Sequence, residues 1–502
     1  MYLLGIDVGS SSVKASILEI SSGKTIASAY SPKEEMEIIA HEHGWAEQHP
    51  EVWIENMFLA LQKIKNKQGI DLMRVKAIGI SYQMHGLVMV DNQGAVLRSS
   101  IIWCDSRAVE IGNKAFEALG EKYCLTNLLN SPGNFTASKL RWVQENERSI
   151  YNKAYKIMLP GDYLAFRLTG EINTTQGGLS EGIMWDYKNN RIATKLLNYY
   201  NINPELIPEV KNIFSIQGLV SSEASNKFGL PEGIPVSYRA GDQPNNAFSL
   251  NVINPGEIAA TAGTSAVVYG VTDKKKFDPK SRVNTFLHVN NDLHNQRLGV
   301  IMCLNGAGIV NAWLRKNVVD KHTSYEEINE IAQKSPVGSN GLLFFPFGNG
   351  AERILENKEL GGSIEGFNFN IHTRNDLLRA VQEGIVFSLV YGMEIMKKTG
   401  IDIKVIKAGK ANMFLSPIFR ETLAGTTGAT IQLYNTDGAE GAARGAGFGA
   451  GIYRSFEETF KSLEILSEIN ILTSQQTAYK TAYDIWKKAL TKKMKNYKII
   501  NQ

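Results

Sequence analysis

Short β-branched apolar runs alternate along this chain with longer stretches in which apolar residues recur at three- and four-residue intervals, a pattern that predicts strands packed against helices in an α/β fold. Tyr2 to Asp7 and Val13 to Leu18 read as strands, and the turn-formers Gly9-Ser10-Ser11-Ser12 between them predict a hairpin. Val75 to Ser81 is another apolar run; Gln83-Met84-His85-Gly86 breaks it before Leu87 to Asp91 resumes, which marks a strand end. Ile234-Pro235-Val236 predicts a strand followed by a small, polar loop from Ala240 to Asn246. A second hairpin is predicted over Glu257 to Tyr269, with Gly263-Thr264-Ser265 at its turn. Helices are predicted over Gly306 to Lys316, Asp376 to Lys398 and Pro417 to Thr426, and the small residues of Gly438 to Gly451 permit close backbone packing. The turn-rich segment Leu250 to Gly256 predicts a boundary near residue 250, giving lobes 1–250 and 251–502.

Composition narrows the class. The chain has 502 residues, 43% apolar and 21% charged, enough for a sizeable core. Its net charge of +4 comes from interspersed basic and acidic residues with little aromatic interleaving, so nucleic acid is not the implied partner. Cys104, Cys124 and Cys303 are far apart and show no metal spacing, which reads as reduced thiols in the cytoplasm. The amino terminus lacks a basic n-region, and no apolar run approaches the roughly 20 residues a membrane span requires.

Candidate chemistry begins at Asp7, which ends an apolar run and precedes a hydroxyl-rich turn and Lys14. Backbone amides in such a turn form an anion-binding concavity, Ser10 and Ser11 add donors, and Lys14 supplies a point charge; a neighbouring carboxylate suits Mg²⁺. A solvated serine-rich turn is the competing reading, but Gly263-Thr264-Ser265 offers the same chemistry in the other half of the chain. There is no Walker-A spacing. Phosphoryl transfer to an alcohol needs a base, and Asp242 is the best candidate, an Asx-turn or helix N-cap being the alternative. Gln83, Met84, His85, Trp103 and Asp105 supply polar groups and an apolar face able to grip a polyol. His41, His43 and His49 read as solvated loop histidines rather than zinc ligands. The glycines of Gly445-Ala446-Gly447-Phe448-Gly449 lie in an Ala/Gly helix pattern without the strand that dinucleotide binding requires. Tyr199-Tyr200 and Phe344-Phe345 read as core or interface pairs.

These segments resemble the FGGY carbohydrate kinases over Gly5 to about Ala450, and within that family its xylulokinase branch. Gly5 to Lys14 is similar to the family's first phosphate motif, Gly44 to Pro50 to the segment that follows it, and Phe135 to Val143 to its first signature. Gln83-Met84-His85-Gly86 and Trp103-Cys104-Asp105-Ser106-Arg107 resemble the ketopentose elements. Gly263-Thr264-Ser265 resembles the second phosphate motif, and Asp437 to Ala443 the small-residue carboxy-terminal element. The resemblance implies a two-lobed, actin-like ATPase fold of the ribonuclease H type with an interlobe cleft, and ATP-dependent phosphorylation of a small sugar such as D-xylulose. By resemblance Asp242 is the base and Asp7 serves magnesium through water. Gln83, Met84, His85, Trp103 and Asp105 would line the sugar site; Ser10, Ser11, Lys14, Gly263, Thr264, Ser265, Gly308, Gly409 and Lys410 would hold ATP. Another polyol, or a non-catalytic actin-like nucleotide-binding protein, is the alternative, and a homodimer stays open. The sequence departs from the family pattern at Ala408-Gly409-Lys410-Ala411, which keeps only the middle glycine, at Gln243-Pro244, and at Gln382, where an apolar residue is usual.

Overall fold

The structure, a computed structural model, describes residues 1–500. The chain forms two compact units. The first comprises Met1–Asn251 together with Phe286–Leu298 and Thr436–Leu463; the second takes Val252–Thr285, Gly299–Asn435 and the segment from Glu464 onward.

The first unit is built on a five-stranded sheet in the order Val236–Gly241, Val75–Tyr82, Tyr2–Val8, Val13–Glu19, Thr25–Ser31. The first three strands run parallel and the last two complete an antiparallel meander. One face is covered by the helix Pro50–Lys65, whose Trp53, Met57, Ala60, Leu61 and Ile64 recur at helical spacing and are fully buried. His49, exposed and outside the helix as expected, precedes it as N-cap: its ring nitrogen accepts from the Glu51 amide at 3.3 Å.

The other face receives the helix Gly438–Gly449, brought back from far along the chain. The approach is close because glycine lies on both sides of the contact. A Cβ on Gly5 would lie 1.8 Å from the Ala439 carbonyl oxygen, and one on Gly79 would lie 1.9 Å from that of Ala442. The central strands therefore need glycine where the helix crosses them.

Two expectations shift here. Residues 240–246 are not a loop: the strand continues to Gly241, and Asp242–Ser249 is a helix. The helix expected over 306–316 is α-helical only for Gly308–Leu314 and continues as a π-turn over Arg315–Val319.

In the second unit, Ala266–Thr272, Glu257–Ala262, Val405–Gly409, Thr430–Tyr434 and Ile465–Ile469 lie side by side in that order. The first two form the expected hairpin. The 25-residue helix Arg374–Lys398 opens on a capping box, with Thr373 accepting from the Asn375 amide and Asp376 accepting from that of Thr373, and buries most of its length in the core. Phe345 stacks on Trp486, whose indole N–H donates to the Phe344 carbonyl at 2.8 Å. Tyr200 is buried, whereas Tyr199 is 41% exposed. Among the described residues no helix is long and apolar enough to cross a membrane.

Candidate active site

Register in the first sheet brings the chemistry together. Asp7 pairs with Ser81 across one parallel ladder, and Ser81 pairs with Ala240 across the next. Asp7, the Gln83-Met84-His85 turn and Gly241-Asp242 thus emerge at the carboxyl ends of three adjacent parallel strands, the end at which open α/β sheets bind ligands. On the antiparallel side Asp7 pairs with Lys14, whose ammonium bonds the Asp437 carboxylate. Asp437 also caps its helix, accepting from the Glu440 amide at 3.0 Å. The next residue, Gly438, leaves room for Asp7: a Cβ there would lie 2.2 Å from a carboxylate oxygen of Asp7.

Burial raises the Asp7 pKa, and the nearby Asp437 charge adds to the shift against the pull of Ser81 and Lys14. Burial together with the Asp7 charge pushes the Asp242 carboxyl up to about 7, in the range of a general base poised at neutral pH.

Around this point Met84 and Gln83 are buried. Gln83 donates to Gln48 Oε1 at 3.1 Å, and Trp53 donates to the same oxygen, which fixes the Gln83 amide. His85 sits in the left-handed region with φ of +42°, a strained conformation for a non-glycine residue. Trp103 is 49% exposed and donates its indole N–H to Ser10 Oγ at 3.3 Å, joining its own segment to the serine turn. Ser11 is exposed. Asp105 stands apart from this group: it is fully buried, with its oxygens engaged by the Arg107 guanidinium and the Ala46 amide, so it braces the segment that carries Trp103.

In the second unit a cavity of about 490 Å³ is lined by Gly263, Thr264, Gly308, Asn311, Tyr325, Asn329, Asn412 and Ser416 among others. The Gly308 amide donates to the Gly263 carbonyl at 2.9 Å and that of Ile309 to Thr264 at 3.0 Å, which seats the start of one helix on the hairpin turn. Gly409 ends a neighbouring strand and Lys410 follows it, both outside the cavity lining, and Ser265 is exposed. Gln382 donates to Asn329 Oδ1 at 2.9 Å and accepts from Ser416 at 2.5 Å, so its polar side chain in an apolar helix supports two cavity residues.

Glu181 carries no sequence signal. It follows the turn-rich stretch Thr174-Thr175-Gln176-Gly177-Gly178-Leu179-Ser180, yet it is 2% exposed, and a Cβ on Gly241 would lie 2.4 Å from its Oε2. Burial raises its pKa well above the usual carboxylate range, and the Asp242 and Asp162 charges add to the shift against the Tyr82 hydroxyl. The folded chain therefore holds a proton here that the unfolded chain releases above about pH 4.5, and stability falls as pH rises past that value. Glu181→Gln should raise Tm by a few degrees at about pH 8 and leave it unchanged near pH 4. A lower Tm for the variant at pH 8 would mean that Glu181 is ionised and paired instead.

Comparison with known proteins identifies the class as a carbohydrate kinase. Family models describe residues 2–249 as the N-terminal domain and 258–451 as the C-terminal domain of the FGGY family of carbohydrate kinases. The chain belongs to the FGGY family of carbohydrate kinases. It is similar to the xylulose kinase of Bacillus subtilis, 28% identical over 98% of this chain and 97% of that one. It is also similar to the xylulose kinase of Haemophilus influenzae, 30% identical over 96% and 98%. The crystal structure of gluconate kinase from Lactobacillus acidophilus shares the fold, with a TM-score of 0.88, 21% identity and 99% of both chains covered. Among the described residues no three His, Cys, Asp or Glu side chains form a metal-ligand cluster.

Proposed function

We propose that this protein transfers the γ-phosphoryl group of ATP to the 5-hydroxyl of D-xylulose in the cytoplasm, with Asp242 as general base. The observation that carries the reading is the convergence of Asp7, Met84-His85 and Asp242 on three adjacent strand ends. The two xylulose kinases of similar sequence favour a ketopentose, whereas the fold alone is shared with a gluconate kinase and selects no sugar.

Asp242 accepts the proton of the sugar hydroxyl as the oxygen attacks the γ-phosphorus; the bond to the β,γ-bridging oxygen breaks, and ADP leaves. Met84, His85 and Trp103 hold the sugar, and Gln83 is fixed behind them by Gln48. Lys14, Ser10 and Ser11 stand ready for phosphate oxygens, and Gly263, Thr264 and Gly308 line the cavity that would take the nucleotide. Asp7 is a carboxylate with the Ser81 hydroxyl bonded to it, oxygen ligands of the kind a hard divalent cation takes alongside waters and nucleotide phosphates. Asp7 would hold magnesium through water, and the ion would neutralise charge on the phosphates.

A coupled ADP-release assay with MgATP and a panel of D-xylulose, L-xylulose, D-ribulose, L-ribulose, glycerol, gluconate, L-fuculose and L-rhamnulose tests this. D-xylulose should give the highest kcat/KM by at least about tenfold, since a few pocket contacts suffice for that margin. Turnover confined to another polyol would keep the mechanism and reassign the substrate. Absence of sugar-stimulated turnover would sink the kinase reading.

A further inference from the structure

The helix Thr136–Asn146 opens with two residues that grip the same turn from different sides. Phe135, at its N-cap, packs its ring edge-on against His85 with centroids 5.0 Å apart. One turn later Lys139, with no exposed surface, donates from Nζ to the His85 carbonyl at 3.1 Å and to the Ile102 carbonyl at 2.8 Å. An ammonium has three donors and no acceptor, and burying one is costly unless its hydrogen bonds are made. Here it adds a second tie between two backbone segments, the turn bearing Met84 and His85 and the segment bearing Trp103, beside the bridge in which the Leu87 amide donates to the Ile101 carbonyl at 3.0 Å. His85 is the residue held at φ of +42°, a conformation that persists only where surroundings over-determine it.

We infer that Lys139 is a positioning residue for the sugar, its ammonium stapling the His85 backbone to that of Ile102 and so fixing the spacing of Met84-His85 and Trp103. This rests on the sugar-binding role proposed for those side chains. Burial lowers the Lys139 pKa to about 7, against the opposing pull of Asp105 and Cys104, while Arg107 adds to the drop. The groups facing it are therefore Asp105, Cys104, Arg107 and the His85 turn. Because the charged form makes both bonds strongest, the staple should loosen as pH rises through 7.

The test uses the full chain with Lys139→Met, which keeps the bulk and removes the donor, and Lys139→Gln, which keeps a donor that does not titrate. Without any ligand, amide exchange at residues 83–86 and 101–104 should quicken at least about tenfold in Lys139→Met; unchanged exchange in both segments overturns the staple. In steady state with the preferred sugar, Lys139→Met should raise the sugar KM at least about tenfold while the ATP KM stays within about twofold. Wild-type sugar affinity, read by calorimetry, should fall between about pH 6 and 9, and that fall should vanish in Lys139→Gln, which separates it from titration of the His85 ring. Should neither variant fold, the wild-type pH series decides, and a flat affinity overturns the inference. A wild type that turns over sugar while Lys139→Met leaves the sugar KM unmoved refutes the positioning role alone. A wild type with no sugar turnover fails the functional reading first and takes the positioning role with it.

Discussion

Asp242→Asn should lower kcat by about 10²- to 10⁴-fold while the dissociation constant for the sugar changes little, because the amide keeps the shape and loses the proton acceptor. Isothermal calorimetry for binding and coupled ADP release for turnover separate the two effects. Wild-type turnover should also climb as pH rises through about 7, since burial and the Asp7 charge hold the Asp242 proton until then. The base must be ionised to act, so the acid side is the inactive side. A cation beside Asp7 offsets that charge, and raising magnesium should move the limb to lower pH. Unimpaired turnover in Asp242→Asn, or a limb indifferent to magnesium, would remove the carboxyl from the mechanism.

Gly79→Ala should cost about 2–4 kcal/mol of stability although it adds a single methyl group and replaces a residue that weakens strand interiors. The methyl would stand 1.9 Å from the Ala442 carbonyl oxygen, and that obstruction is backbone, so no side-chain rearrangement relieves it. Gly5→Ala meets the Ala439 carbonyl in the same way and should behave alike. Chemical denaturation checks both. A variant within about 0.5 kcal/mol of wild type would mean that the helix Gly438–Gly449 can lift off the sheet freely.

Much of this architecture is legible from local pattern. The hairpins at Tyr2–Glu19 and Glu257–Thr272 announce themselves through β-branched runs around Gly/Ser turns, and the helix expected over Asp376 to Lys398, which the structure starts at Arg374, through its periodicity. The helix Asp242–Ser249 does not, because Asp-Gln-Pro-Asn-Asn is turn-like by composition and only the sheet beside it makes the helix worthwhile. The small residues of Gly438–Gly449 signal close packing, but nothing local says that their partners are Gly5 and Gly79. At the site, motif residues carry their own chemistry in their type. Glu181 does not, since a carboxylate after a Gly-rich stretch normally faces solvent; Lys139 falls within the signature-like segment Phe135 to Val143, but nothing in that segment says that the lysine is buried, which tertiary structure alone imposes.

The helix crossing at Gly5 and Gly79 also sets a timetable. About 200 residues separate Gly241, the end of the last central strand, from Gly438, where the covering helix starts. At roughly 5–20 residues per second a ribosome needs on the order of 10–40 s to make that stretch. Throughout that interval the nascent chain holds a sheet whose Leu3, Leu18 and Ala77 have no Ala443, Ala446 or Tyr453 to cover them. The amino-terminal half is thus born before it can finish, and its apolar face is open to chaperones, or to other nascent copies, until nearly all of the protein has been synthesised.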